Sequence, residues 1–91
     1  MPEFEWDPEK DTANVAKHGV AFEFAKRIFE GPVLSWVDDR VDYGEVREIS
    51  IGRVDGIVVL VVVHTDRDGR IRIISARPVS QKERQRYEAS L

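Results

Sequence analysis

Residues 46–77 read VREISIGRVDGIVVLVVVHTDRDGRIRIISAR, and this stretch decides the fold. Short runs rich in Val and Ile, separated by turns that contain Asp and Gly, are typical of antiparallel strands joined by hairpins. The middle run is unbroken and β-branched, which predicts a central strand covered on both faces. The predicted strands are Val46 to Val54, Ile57 to Thr65 and Arg70 to Arg77, with turns at Asp55-Gly56 and at Asp66 to Gly69.

The residues before these strands predict a short strand and two helices. The strand, Phe4 to Trp6, precedes a helix that begins at Asp7-Pro8 and ends at Gly19. A second helix stops at Gly31-Pro32, and its start is weak because Ala21 lacks a capping side chain, an omission expected to cost about 1 kcal/mol. The apolar residues that give this helix its spacing are Phe22, Ala25, Ile28 and Phe29.

The remaining segments complete an α+β domain. A strand from Val33 to Val37 leads into a polar loop from Asp38 to Gly44. At the other end, Ser80-Gln81-Lys82-Glu83 has the capping-box pattern, which predicts a helix to the chain end. The predicted order is β-α-α-β-β-β-β-α, with an antiparallel meander, in a single domain of residues 1–91.

Composition sets limits on the function. The chain has 91 residues, no cysteine and a net charge of −3, so it offers no disulfide framework and no thiolate metal site. The longest apolar run, Ile57 to Val63, is too short for a membrane span, and the acidic N-terminus is no signal peptide, so we expect a cytoplasmic protein. Residues 64–91 carry seven Lys/Arg and four Asp/Glu, whereas residues 1–63 carry seven and thirteen. The basic C-terminal third is consistent with phosphate contact, and equally with an ordinary mixed surface.

Counting across the two predicted turns places two arginines together. Arg53 is expected opposite Val58, and Val58 opposite Arg77. Two strand spacings separate the arginines by roughly 10 Å, a gap in which two guanidinium groups can hold one phosphate. The opposite end of this face is expected to hold Arg47 and His64, beside Ile71. The apolar residues expected on the face are Ile49, Ile51, Leu60, Val62, Ile71 and Ile73.

Each of these residues also has a structural explanation. An arginine at a strand end commonly pairs with a carboxylate, and a lone histidine commonly caps a core. Tyr87 can pack on the sheet with its hydroxyl in water. Lys17-His18 lies at a helix C-terminus, where the helix dipole favours cations, and for this pair the structural explanation is the better one.

Other chemistries find little support in the sequence. The two histidines lie in different elements without a zinc-ligand pattern, so no metal or cofactor is expected. The six glycines are scattered, so they form no phosphate-binding loop, and the motif of a nucleophilic serine is absent. The aromatic residues do not form a stacking surface for RNA on the strands.

The order of short motifs along the chain resembles the BrnT toxin family over nearly its whole length. Departures from the pattern are Ala21, where serine or aspartate is common, and Phe24, where a polar residue is common. Both affect the second helix rather than the chemistry. The matching stretches are Phe4-Glu5-Trp6-Asp7-Pro8-Glu9-Lys10, Asn14, Lys17-His18-Gly19-Val20, Phe22-Glu23, Phe29, Pro32, Ile51-Gly52-Arg53, Val61-Val62-Val63-His64-Thr65, Arg72-Ile73-Ile74-Ser75-Ala76-Arg77, Glu83-Arg84 and Tyr87-Glu88.

The resemblance implies a fold like that of the RelE ribonuclease toxins and inhibition of translation by RNA cleavage. It also implies neutralisation by a BrnA-type antitoxin, whose ribbon-helix-helix element binds operator DNA, and it favours a 2:2 heterotetramer. The exposed edge of the predicted sheet likewise suggests a protein partner. RNA is then the expected substrate, and no membrane is involved.

Cleavage of RNA without a metal needs a proton acceptor, cations that stabilise the phosphorane and a proton donor. We assign the phosphate role to Arg77 and Arg53, and proton transfer to Tyr87 or Glu83 on the following helix. His64 has the suitable side chain, but counting places it roughly 20 Å from Arg77, either in a second site with Arg47 and Arg72 or in a register that was counted wrongly. The expected RNA-binding residues are Arg72, Arg67, Lys82, Arg86 and Arg47.

Two other functions remain open at this point. A binding module without turnover would retain RNA without producing new 5′-hydroxyl ends. An interaction protein that only holds a partner would not be toxic when expressed without that partner.

Overall fold

The meander predicted from the sequence forms most of a five-stranded sheet in the computed structural model, which describes residues 2–91. Its antiparallel strands are β2 (Val33–Asp38), β3 (Arg47–Val54), β4 (Val58–Arg67) and β5 (Arg70–Pro78). β4 lies at the centre, and the run from residue 59 to residue 62 is buried, which confirms the predicted central strand. The first strand, β1 (Glu3–Glu5), pairs in parallel with β5, so the sheet is mixed, which the sequence did not predict.

The helices begin and end where local chemistry directs them. α1 (Pro8–His18) starts after Asp7, whose carboxylate accepts a hydrogen bond from the Glu9 N–H at 2.9 Å. It ends at Gly19, whose φ of 70° lies in the left-handed region. α3 (Gln81–Ala89) opens with the predicted capping box, because both reciprocal hydrogen bonds between Ser80 and Glu83 are present.

The second helix covers the predicted residues, but its second half is not α-helical. It consists of α2 (Phe22–Ala25) followed by a 3₁₀ segment (Lys26–Glu30), and Ala21 provides no side-chain cap. The carboxylate of Asp11 on α1 accepts a hydrogen bond from the Phe22 N–H at 2.9 Å. A neighbouring helix therefore supplies the cap that position 21 lacks.

The two hairpins have a register different from the one predicted. Arg53 lies opposite Val59, because Ile57 is left out of the first ladder and is 77% exposed. Arg77 lies opposite Val61, because the second turn is tighter than predicted and a bulge interrupts the ladder at Val63/His64. A slip of one residue exchanges the faces of a strand, so the predicted face is wrong.

Two apolar clusters result, one on each side of the sheet. The α3 face carries Tyr87 of α3, and the α1 face carries α1, α2 and the 3₁₀ segment. Ile49 and Ile51 lie on the α3 face, whereas Leu60, Val62 and Ile73 lie on the α1 face.

A close approach fixes the 3₁₀ segment to the sheet. A Cβ atom built on Gly52 would lie 2.8 Å from the Cβ of Ile28, so only glycine fits at this point of β3. Within residues 2–91, no helix is long and apolar enough to cross a membrane.

Candidate active site

A cleft of about 550 Å³ opens on the α3 face of the sheet. Its apolar lining comes from three strands, β2, β3 and β4. The residues are Trp36, Val37, Ile49, Val61 and Val63. The chemistry-bearing side chains come from four places: the end of α1, the end of β2 with the loop after it, β5, and the first turn of α3. They are Lys17, His18, Asp38, Asp39, Arg40, Ser75, Arg77 and Glu83.

Arg77 and Glu83 form the best-defined pair in this cleft. The two terminal nitrogens of Arg77 donate to the two carboxylate oxygens of Glu83, at 2.8 and 2.7 Å. The hydrogen bond from Arg77 is the main reason that the pKa of Glu83 falls to about 2, and the same bond raises the pKa of Arg77. Glu83 is therefore ionised at neutral pH and is a weak base, but it holds the guanidinium in place.

Arg40 forms a second pair of the same kind, with Asp38 at the end of β2. Its Nε and Nη2 atoms donate to the Asp38 carboxylate at 2.8 and 2.9 Å, and the Tyr43 hydroxyl donates to the same group at 3.2 Å. The Asp38 side chain is only 2% exposed, whereas that of Arg40 is 72% exposed. The bond from Arg40 is the main reason that the pKa of Asp38 falls to about 2, so a fixed anion orients an accessible cation.

Lys17 and His18 bring the end of α1 to the same cleft. Helix geometry places His18 one turn after Asn14, whose side chain bonds both the carbonyl and the N–H of Ala76 on β5. Ala76 immediately precedes Arg77, so this contact holds the end of α1 beside the arginine. The pair lies where the helix dipole favours cations, as the structural explanation expected, and it also lines the cleft.

Arg53 and Tyr87 lie outside the cleft. The Tyr87 hydroxyl donates to the carbonyl of Pro32 at 2.9 Å, and this tyrosine is 1% exposed. The guanidinium of Arg53 lies 5.4 Å from the centre of the Tyr87 ring, and both residues line a separate depression of about 200 Å³. The register predicted for Arg53 beside Arg77 is therefore wrong, because Arg53 faces a position of β4 two residues away from the partner of Arg77.

His64 lies on the α1 face, opposite to the cleft. Its Nε2 atom and the Ser50 hydroxyl are 2.7 Å apart, and its ring packs edge-on against Phe29 at 5.1 Å. It is 7% exposed, and burial lowers the pKa of its imidazole. The predicted grouping with Arg47 is wrong, because the one-residue slip of the first hairpin places Glu48 opposite His64 and leaves Arg47 on the α3 face.

Because His64 is buried and the pKa of its imidazole is lowered, we expect the stability of the fold to depend on pH. Because the folded-state pKa lies below the unfolded value of 6.5, the unfolded chain binds the proton first as the pH falls. The free energy of unfolding should therefore be highest above pH 6.5 and decrease below it, by about 1.4 kcal/mol for each unit between the two pKa values.

Urea denaturation from about pH 7.5 to about pH 5 measures this effect, with His64→Gln as the matched variant. Glutamine keeps a polar contact for Ser50 but does not titrate, so its curve should fall less steeply. Parallel curves for the two proteins would contradict a desolvated imidazole.

The expected RNA-binding residues are spread over the surface. Arg72 donates to Glu5 at 3.0 Å, and Arg67 lies 3.4 Å from Glu45. Arg47 stacks on Tyr43, Arg86 stacks on Trp36, and Lys82 is exposed on α3. Of these aromatic partners, Trp36 lines the cleft, which places Arg86 next to it.

Sequence reasoning missed Asp38, Asp39, Arg40 and Ser75 as cleft residues. The signal for Arg40 was available, since Asp38 and Arg40 are two residues apart at a strand end, but loop conformation decides where they point. Between residues 2 and 91 no group of three or more His, Asp or Glu side chains is arranged to hold a metal ion.

Comparisons with known proteins identify the family. A family model described as "Ribonuclease toxin, BrnT, of type II toxin-antitoxin system" matches residues 6–83. The chain therefore belongs to the BrnT family of ribonuclease toxins, which confirms the resemblance drawn from its motifs and implies an antitoxin partner.

A solved structure supports the same conclusion. The crystal structure of the Brucella abortus ribonuclease toxin BrnT is similar, with a TM-score of 0.66 and 25% sequence identity. The match covers 89% of this chain and 100% of the Brucella chain. No individually curated protein sequence gives a significant match.

Proposed function

We propose that this chain is a metal-independent endoribonuclease that inhibits translation by cleaving RNA, and that the cleft is its active site. The proposal rests on one observation: Glu83 fixes Arg77 in the same cleft as Lys17 and His18. A guanidinium held in advance can stabilise the charge of a phosphorane without reorganising. The family match and a likeness to RelE-type toxins, inferred from the motifs, support the assignment.

The reaction divides among three residues of the cleft. The 2′-oxygen of the RNA forms a bond to phosphorus while the bond from phosphorus to the 5′-oxygen breaks. His18 takes the proton of the 2′-hydroxyl, Lys17 gives a proton to the leaving 5′-oxygen, and Arg77 binds the non-bridging oxygens. The products are a 2′,3′-cyclic phosphate and a 5′-hydroxyl.

The other residues first considered for catalysis receive different roles. Glu83, with a pKa of about 2, orients Arg77 rather than moving a proton. Arg53, Tyr87 and His64 lie outside the cleft, so the proposal gives them no contact with the reacting phosphate.

The antitoxin partner is proposed to be a BrnA-type protein with a ribbon-helix-helix element, in a 2:2 complex that binds operator DNA through the antitoxin. The family supports a partner, and the edge strand β2 leaves backbone groups available for a further strand. Exposed valines accompany this edge, since Val33 and Val37 are 36% and 57% exposed. Inhibition of translation requires access to RNA in the cytoplasm, so we propose that the protein acts there.

Incubation of the purified protein with RNA in EDTA tests the proposal. We expect fragments with 5′-hydroxyl and 2′,3′-cyclic phosphate ends, because the attacking group is the neighbouring 2′-hydroxyl. His18→Ala should lower the rate by about a hundredfold, the usual size of a proton-transfer contribution.

A control RNA makes the result specific. A matched RNA with 2′-O-methyl groups should stay intact, since it has no nucleophile. RNA that is bound by the wild type but not cleaved would contradict the proposal and favour a binding module.

A further inference from the structure

Two arginine–carboxylate pairs line the same cleft. Glu83 holds Arg77 and Asp38 holds Arg40, each through two hydrogen bonds between 2.7 and 2.9 Å. In each pair the arginine is the more exposed partner, with side-chain exposures of 42% for Arg77 and 72% for Arg40. The carboxylates therefore lie behind the guanidinium groups, which remain accessible from the cleft.

The hydrogen bonds leave one edge of each guanidinium available. Arg77 uses Nη1 and Nη2 on Glu83, and Nη1 also donates to the Pro78 carbonyl, so its Nε and the outer hydrogen of Nη2 remain. Arg40 uses Nε and Nη2 on Asp38, so its Nη1 and the outer hydrogen of Nη2 remain. No other acceptor bonds these atoms within residues 2–91, so each arginine keeps the two-donor edge that binds phosphate oxygens.

The charges of the two arginines also act on each other. The pKa of Arg77 is raised mainly by its hydrogen bond to Glu83, and the nearby charge of Arg40 acts in the opposite direction. Both cations line the same cleft, where their like charges repel, and an anion bound in the cleft would relieve the repulsion. Lys17 adds a third cation to the cleft lining, which also includes the carboxylate of Asp39.

We propose that Arg40 and Arg77 together bind one phosphodiester group, the reacting phosphate of the RNA, and that Asp38 and Tyr43 are positioning residues for Arg40. The inference rests on the proposed ribonuclease function, and it adds a second cation to the phosphate site. Asp38 holds Arg40 from the buried end of β2, and Tyr43 holds the same carboxylate from the loop. The loop after β2 thereby becomes part of the substrate site.

Binding of a short RNA with 2′-O-methyl groups measures the affinity of this two-arginine phosphate site, which we call the clamp, without cleavage. We expect Arg40→Ala to raise the dissociation constant by roughly tenfold to a hundredfold, the usual value of a charge-assisted hydrogen bond, and to reduce the salt dependence by about 0.7 in slope. The matched control is Arg70→Ala, which removes the same charge from an exposed pair with Glu3 on the sheet edge. If Arg40→Ala binds within twofold of the wild type, or no more weakly than Arg70→Ala, the clamp is wrong.

Double variants test whether the two arginines share one phosphate. The combined Arg40→Ala and Arg77→Ala protein should lose much less affinity than the product of the single losses, because the second arginine alone holds the phosphate poorly. Losses that multiply would place the arginines on separate phosphates and overturn the proposal.

Asp38→Asn tests the positioning role. It should weaken binding in the wild-type background and have no further effect once Arg40 is alanine. A structural defect would weaken both proteins equally, and that result would remove Asp38 from the proposal.

The cleavage assay tests the ribonuclease function, and the binding assay tests the clamp, so either proposal can be disproved without the other. A wild type that binds the methylated RNA through Arg40 but cleaves no RNA would disprove the ribonuclease function and leave the clamp intact. A wild type that cleaves RNA while Arg40→Ala binds normally would do the reverse.

Discussion

Arg77→Ala should lower the rate of RNA cleavage at saturating RNA by about a hundredfold to a thousandfold, the usual effect of removing one donor from a charge-stabilising site. The carboxylate of Glu83 fixes the Arg77 guanidinium, and the remaining edge of the guanidinium carries two N–H donors for the substrate. Single-turnover cleavage measures the rate of the chemical step directly. A variant that cleaves within a fewfold of the wild type would exclude Arg77 from the active site.

Stability should change little in this variant. The Arg77 side chain is 42% exposed, and an ion pair that is open to solvent contributes about 1 kcal/mol or less to stability. Loss of activity without loss of fold would therefore locate the effect in the chemistry. Urea denaturation of the same protein sample shows whether a slow variant has lost its fold or only its catalytic group.

Two further substitutions show what Arg77 needs. Arg77→Lys keeps the charge but loses the planar fork that fits a carboxylate on one edge and a phosphate on another, so it should recover only part of the rate. Glu83→Gln keeps a side chain that can complete the capping box, but it removes the anion that fixes the guanidinium. We expect the rate of Glu83→Gln to fall about tenfold, within the range of effects from misplaced catalytic groups.

Arg53→Ala distinguishes the structure from simple counting along the strands. Counting placed Arg53 beside Arg77, and a shared phosphate site would make the two variants equally slow. The structure places Arg53 on the Tyr87 ring and outside the cleft, so the rate should stay close to that of the wild type. Equal losses at both arginines would favour the counted register.

The elements of the fold follow from local signals, whereas the register does not. Asp7, Gly19 and the Ser80 capping box predict their helix ends because a cap depends on neighbouring residues alone. The predicted register of the first hairpin is wrong by one residue because Ile57 stays unpaired, and nothing in the Asp55-Gly56 turn indicates this. The bulge at Val63/His64 shifts the pairing of β4 with β5 by one residue, and no turn or proline in either strand predicts its position.

In the cleft, too, the residues that local sequence predicts differ from those that only tertiary structure brings together. Arg77 and Glu83 were predicted together because a short link separates a strand end from a helix start. Lys17, His18 and Arg40 come from parts of the chain far from Arg77, so only tertiary packing brings them to it. A residue such as Arg40, in a polar loop, has no periodicity from which its direction can be predicted.

Asn14 is the contact that brings the end of α1 to β5, and replacing it should give the largest loss of stability among the polar substitutions considered. It is 7% exposed, and its amide nitrogen donates to the carbonyls of Val20 and Ala76, both at 2.8 Å. Its oxygen accepts a hydrogen bond from the Ala76 N–H at 3.1 Å. Alanine would leave three buried backbone groups without partners, so we expect Asn14→Ala to lower the free energy of unfolding by about 2–4 kcal/mol.

Asn14→Asp keeps the size and shape of the side chain but removes its N–H donors. Aspartate can still accept from the Ala76 N–H, but it cannot donate to the two carbonyls, and its charge would be buried against them. We expect it to destabilise the fold at least as much as alanine. Val15→Ala on the same helix is the matched control, because Val15 is 45% exposed and its truncation should cost about 1 kcal/mol or less.

The loss should extend to catalysis in the molecules that remain folded. Asn14 lies one helical turn before His18 and is bonded to the residue before Arg77, so it sets the spacing between the proposed proton acceptor and the phosphate-binding cation. At a temperature where urea denaturation shows Asn14→Ala to be mostly folded, cleavage per folded molecule should still fall about tenfold or more, because small errors in the placement of catalytic groups have large effects on rate. A normal rate per folded molecule would mean that the end of α1 reaches Arg77 without Asn14, and that the contact serves stability alone.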